Sequence, residues 1–188
     1  MRSLSDPAVW YLMRGSGLVA LILFTSVVVL GIATTMRFRP ARMPRFVTLG
    51  LHRSVSLLAV VFLGIHIATA IADSYAKVGV AQVVVPLPSA KYGLFLGMGA
   101  LSLDLIAAVV LTSLVRRHLS QRVWKGIHWL AYASWPVAFL HSVGIGTDKA
   151  SGWFVDTAVA CASAIVVAVF WRLLALRRPY PKYLGASS

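Results

Sequence analysis

Five apolar runs of roughly 20 residues, at about 16–36, 51–72, 93–115, 126–145 and 153–176, occupy most of this 188-residue chain. They leave it little choice of fold. A run of that length crosses the ~30 Å hydrocarbon core of a bilayer as a helix, and in lipid only helices and closed barrels satisfy every backbone polar group. The chain is 59% hydrophobic and 12% charged, about half the charged fraction of a soluble domain. The expectation is an all-α integral membrane protein: one bundle of five transmembrane helices over residues 1–188, with no soluble catalytic domain attached.

A net charge of +13 invites a nucleic-acid reading, but the distribution of the basic residues points to lipid. Arg37, Arg39, Arg42, Arg45 and Arg53 cluster between the first and second spans. Arg116, Arg117, Arg122 and Lys125 follow the third, and Arg172, Arg177, Arg178 and Lys182 close the fifth. That places 13 of the 18 basic residues on one side, and the positive-inside rule makes that side cytoplasmic, with the N-terminus outside and the C-terminus inside. Arg2, Arg14, Lys77, Lys91 and Lys149 fall on the outer side, with Asp6, Asp73, Asp148 and Asp156. Basic loops of this kind signal topology and touch lipid headgroups; no nucleic-acid partner is expected.

The first run is too long for a secretory h-region and has no small-residue cleavage site before the Arg-rich loop, so it reads as a span. Pro40 and Pro44 keep that loop out of helix. The longer outer connection, Ser74 to Tyr92, is apolar but too short and proline-limited to span, and reads as a cap over the bundle mouth. The short polar link from Arg116 to Lys125 makes spans three and four antiparallel neighbours, so spans two and four run parallel. Gly15 and Gly17 open the first span with Arg14 at its outer mouth; Gly93, Gly97 and Gly99 begin the third and allow close helix approach.

Four of the five histidines lie in two pairs inside apolar spans: His52 and His66 in the second, His128 and His141 in the fourth. A histidine in hydrocarbon marks a functional site by default. At about 1.5 Å rise per residue the intervals amount to roughly 21 and 20 Å, so early faces early and late faces late at two matched depths. Two facing imidazoles at each depth are a ligand set for two stacked haems, a wire for electrons across a membrane. The single cysteine, Cys161, excludes covalent haem attachment, an intrachain disulfide and a thiolate zinc site, so any haem is held non-covalently by imidazoles. Azimuth fits the pairs unequally. Fourteen steps of about 100° bring His66 within roughly 40° of His52, whereas thirteen leave His141 about 140° from His128 in a straight helix. Pro136, between them, offers a kink.

Other residues carry open readings. Ser56 and Thr69, within a turn of a histidine, are candidates to orient the imidazoles. Asp104, in mid-span, is a proton site or a neutral group bonded to another helix. Trp129, Tyr132 and Trp135 pack the core or help electrons pass. His118, in the basic loop, is read as solvated.

The histidine spacing, 14 on one helix and 13 two helices later, resembles that of the ferric reductase-like transmembrane domain superfamily. The family includes NADPH oxidases, ferric reductases and the haem-binding membrane subunit of a bacterial periplasmic methionine sulfoxide reductase system. The likeness is greatest to small actinobacterial-looking members. It runs through Arg14-Gly15-Ser16-Gly17-Leu18, His52-Arg53-Ser54-Val55-Ser56-Leu57-Leu58, the run from His128 to Pro136, His141, and Gly144-Ile145-Gly146-Thr147-Asp148, covering roughly residues 10–150. The resemblance implies two b-type haems, an inner one on His52 and His128 and an outer one on His66 and His141. Their anionic propionates would meet Arg53 and Lys125, with Arg45 or Arg122, at the inner site, and Arg14, Lys77 or Tyr75 at the outer.

The larger oxidases carry six spans and a C-terminal flavin and nicotinamide domain. Here their first span is not expected, nothing after Tyr183 reads as dinucleotide-binding, and no Gly-x-Gly-x-x-Gly follows a strand. The reading is therefore a di-haem b-type cytochrome of a bacterial cytoplasmic membrane, possible as an oligomer. Its donor is a separate flavoprotein or a quinol, and its acceptor lies at the outer face, a ferric chelate being one option. Two rivals remain: a non-redox anchor or assembly subunit whose histidines bridge helices, and a proton or metal-ion transporter using His66, His141 and Asp104.

Overall fold

A computed structural model describes residues 7–35, 45–74, 76, 78–87, 93–145 and 148–176. Its elements are α1 (Pro7–Thr35), α2 (Arg45–Ala72), a short α3 (Val80–Val84), α4 (Gly93–Leu114), a 3-10 turn (Arg116–His118), α5 (Gln121–His128), α6 (Leu130–Ile145) and α7 (Gly152–Leu176). The described residues contain no strand. Arg2, Asp6, Arg37, Arg39, Pro40, Arg42, Pro44, Tyr75, Lys77, Lys91, Tyr92, Gly146, Thr147, Arg177, Arg178, Lys182 and Tyr183 lie outside the described residues, as does the side chain of Arg45.

Helices α1, α2, α4 and α7 are long and apolar enough to cross a membrane, with mean hydropathies of 2.2 to 2.5. Their outer faces carry apolar side chains without protein cover, among them Leu57, Val61, Val159, Val166 and Phe170, as expected where lipid is the solvent. Hydroxyls within them are satisfied locally: Ser16 bonds the Leu12 carbonyl, Thr25 that of Leu21 and Thr112 that of Ala108. Such back-bonding lets a hydroxyl sit in an apolar helix without an orphaned donor.

Three expectations change. Helix α1 begins at Pro7, with proline at the first helical position where its missing N–H costs nothing, so Arg14 and Gly17 lie inside the helix and do not open it. The outer connection contains α3, which packs on α4. The run expected as one span at 126–145 is divided at Trp129 into α5 and α6, and α6 alone, with 16 residues, is about 24 Å long. Pro136 lies inside α6, where it has no N–H for the Tyr132 carbonyl. One turn earlier the backbone tightens, Tyr132 N–H bonding the Trp129 carbonyl at 3.0 Å.

Packing follows two pairs. Helix α2 lies along α1, and α6 lies along α4, while α7 and α6 also touch α1. Leu21, Val28 and Ile32 of α1, Trp135 of α6, and Cys161 and Ala168 of α7 form the central core. Cys161 is a buried packing residue there. Helices α2 and α6, which carry His52, His66 and His141, share no extended packing; His128 ends α5.

Candidate functional site

The late histidines meet across the space between α2 and α6. His66 and His141 have ring centroids 6.5 Å apart and planes at 77°. A cavity of about 340 Å³ lies there, lined by both rings and by Gly17, Leu63, Gly99 and Ala100. The early histidines, His52 and His128, are each partly buried, with Nδ1 of both lacking a hydrogen-bond partner. Late therefore meets late at the outer depth. The second histidine run is not one straight helix, since α5 ends at His128 and α6 begins at Leu130.

Each late imidazole is fixed by a backbone carbonyl on the helix behind it. His66 Nδ1 lies 2.8 Å from the Met13 carbonyl oxygen of α1, and His141 Nδ1 lies 2.8 Å from that of Phe95 on α4. A carbonyl only accepts, so Nδ1 must carry the proton, which leaves Nε2 with a free lone pair. This is how a metal-binding histidine is usually steered.

Glycine makes the approach possible. Four residues after each acceptor, where the next helical turn would put a side chain against the imidazole, stand Gly17 and Gly99. A Cβ at Gly17 would lie 2.8 Å from His66 Cε1 and Nδ1, and one at Gly99 would lie 2.6 Å from the same atoms of His141. Gly31 faces His52 in the same way with more room, its Cβ position 3.5 Å from Cε1. The interval from Gly17 to Gly31 equals that from His52 to His66, so the antiparallel α1 and α2 keep their faces matched over both depths. The Val27 carbonyl, four residues before Gly31, acts on His52 without completing a hydrogen bond of ordinary geometry.

His128 is held differently. The position on α4 that corresponds to Gly99, thirteen residues on, is Thr112. Its hydroxyl takes the Ala108 carbonyl at 2.6 Å, so the glycine-and-carbonyl cradle is missing. The His128 ring instead stacks on Trp124, centroids 4.9 Å apart at 25°, with the Arg116 guanidinium 4.1 Å over the indole centroid. His52 Nδ1, His128 Nδ1 and Trp124 Nε1 are buried without a hydrogen-bond partner.

The remaining candidates divide. Arg14 lines the outer cavity, is ion-paired with Asp148 and stacks 3.9 Å over Trp10. Arg53 and Lys125 are exposed, one residue after His52 and three before His128. Ser56 and Thr69 do not orient the imidazoles: their hydroxyls donate to the His52 carbonyl and to those of Ile65 and His66 on their own helix. Asp104 lies exposed on α4, not in the bundle interior. His118 is exposed and accepts from Arg117 Nε at 3.1 Å. Trp135 is buried between the two depths and donates to Thr25 Oγ1 at 3.0 Å. Tyr132 accepts from Arg172 at 2.6 Å, and the same guanidinium lies 5.0 Å over Trp129. The roles of Met13, Gly17, Gly31, Phe95, Gly99 and Trp124 were not read from sequence, although the equal glycine and histidine intervals were visible there.

Among the described residues, no three His, Cys, Asp or Glu side chains gather into a site for a bare metal ion. Two imidazoles at each depth suit a group that brings its own equatorial donors. With each Nε2 about 2 Å from a metal, opposed imidazole centroids stand a little over 6 Å apart, close to the separation of His66 and His141.

The family model described as ferric reductase like transmembrane component matches residues 16–140. The match includes His52, His66 and His128 and stops one residue before His141. A search of the curated proteins and one of the solved structures give no match.

Proposed function

The chain belongs to the ferric reductase-like transmembrane component family, and from that membership we propose that it is a b-type membrane cytochrome carrying electrons across the bilayer. The observation that carries this reading is the pair His66 and His141: two facing imidazoles from helices that share no extended packing, each with Nδ1 held by a backbone carbonyl. We assign His66 and His141 as the residues that would hold an outer haem, and His52 and His128 as those that would hold an inner one. Bound between such pairs, haem supplies one-electron chemistry in a closed coordination sphere, which favours electron transfer over oxygen binding.

The chain's own residues provide the rest. The Met13 and Phe95 carbonyls set ring orientation, and Gly17 and Gly99 admit the rings. The apolar walls of the cavity keep water away and lower the local dielectric. Trp135, held by Thr25, offers an aromatic group between the two depths. Arg14 at the outer end, and Arg53 and Lys125 at the inner, are the cations for the propionates; Arg14 would exchange Asp148 for a propionate. Division of the fourth run at Trp129 is compatible with a fifth crossing made by α5 and α6 together. The setting proposed is a bacterial cytoplasmic membrane, N-terminus outside. A separate flavoprotein or quinol gives electrons and an acceptor at the outer face takes them.

Purified protein is expected to show a Soret band, a reduced-minus-oxidised α-band and two haems per chain by the pyridine haemochrome assay. His66→Ala should remove one haem and leave the other. Colourless wild-type protein would overturn the proposal; colourless protein that moved protons or metal ions in liposomes would support the transporter reading instead. Asp104, exposed on α4, does not face the histidines as that rival needs.

A further inference from the structure

Of the imidazoles that face one another in pairs, His128 alone is stacked on a tryptophan. Trp124 is one helical turn before it on α5, with rings 4.9 Å apart and nearly parallel. The Arg116 guanidinium, from the 3-10 turn that follows α4, lies over the same indole, 4.1 Å from its centroid. The glycine interval does not continue at this depth: thirteen residues after Gly99 stands Thr112, whose hydroxyl bonds the Ala108 carbonyl of its own helix. His128 Nδ1 is buried with no acceptor. A ring without a hydrogen bond is free to turn about its Cβ–Cγ bond unless something flat lies against it.

We propose that Trp124, backed by Arg116, is the positioning residue of the inner ligand His128, fixing its plane by stacking where the outer ligands are fixed by hydrogen bonds. This rests on the assignment of His52 and His128 as an inner haem pair. Three physical consequences follow. A cation over the indole face is attracted by the ring quadrupole, so guanidinium, indole and imidazole form one layered unit joining the end of α4 to α5. The arrangement keeps a positive charge close to the inner ligand. Positive charge near a metal ligand favours the reduced metal, and second-shell groups are a recognised lever on potential. Finally, the outer ligands donate Nδ1–H to carbonyls and so become more basic, whereas His128 does not.

The test uses full-length protein in detergent, with redox potentiometry and low-temperature electron paramagnetic resonance on wild type, Trp124→Ala, Trp124→Phe and Arg116→Gln. A wild type with no haem signal would defeat the underlying assignment itself. With two centres present, the centre that persists in His66→Ala identifies the inner one. Trp124→Ala and Arg116→Gln are expected to move its midpoint to lower potential, and Trp124→Ala to broaden its low-spin signal, with the outer centre unmoved. Trp124→Phe, which keeps a stacking ring, should restore the wild-type signal shape. Loss of the inner haem from Trp124→Ala with retention in Trp124→Phe also supports the role. Unchanged inner signals, equal shifts at both centres, or failure of Trp124→Phe to restore the signal would each overturn it.

Discussion

At Gly17 and Gly99 the absence of a side chain sets how closely an imidazole approaches a helix backbone. A methyl group at either site would fall within 2.8 Å of the histidine ring, and the ring would have to leave its carbonyl. Gly17→Ala or Gly99→Ala should therefore cut haem content to about half by displacing one outer ligand. Gly31→Ala, with its Cβ position at an ordinary contact distance of 3.5 Å, should keep both haems. Haemochrome stoichiometry of the three variants checks this, and equal losses in all three would refute it. The four paired histidines were legible in sequence because imidazole in an apolar run is conspicuous. Their acceptors were not: a backbone carbonyl has no letter of its own, and Ser56 and Thr69 looked better placed while being committed to their own helix. Equal glycine and histidine intervals were the available signal, and glycine's ordinary role in helix packing hid it.

Among the elements, α5 and α6 departed furthest from expectation. Pro136 announced a disturbance, but sequence does not say which turn yields. The backbone tightened between Trp129 and Tyr132, and His141 of α6 stands opposite His66. The α1–α6 contact is anchored by Trp135 Nε1–H on Thr25 Oγ1, both residues being buried. Thr25→Val should leave the indole donor unsatisfied and cost about 1–3 kcal/mol, whereas Thr25→Ser should cost much less. Thermal unfolding in detergent separates the two, and equal stability of both variants would show that the hydrogen bond contributes little. The four long spans were legible throughout, since length and hydropathy alone define them; their ends shifted where polar residues such as Arg14 extended the helix toward the surface.

On the scale of the whole molecule, the asymmetric basic residues orient the bundle. A reporter active only outside the cytoplasm should work when inserted after Asp148 and fail when fused beyond Leu176; the reverse pattern would invert the topology and exchange the inner and outer sites. Helices α2 and α6 stand apart, each braced by a glycine-bearing partner, and this separation was not legible from sequence, which suggested only that they adjoin. It follows from the packing of each on its own partner, α2 along α1 and α6 along α4, with the His66 and His141 rings between them. The most direct test of paired ligation is low-temperature magnetic circular dichroism of the oxidised protein, which reports axial ligands through the near-infrared charge-transfer band. Ligation by His52 with His128 and His66 with His141 predicts bis-imidazole, low-spin bands equivalent to two haems per chain, halved in His141→Ala. High-spin or mixed-ligand iron in the wild type, or full intensity in His141→Ala, would contradict it.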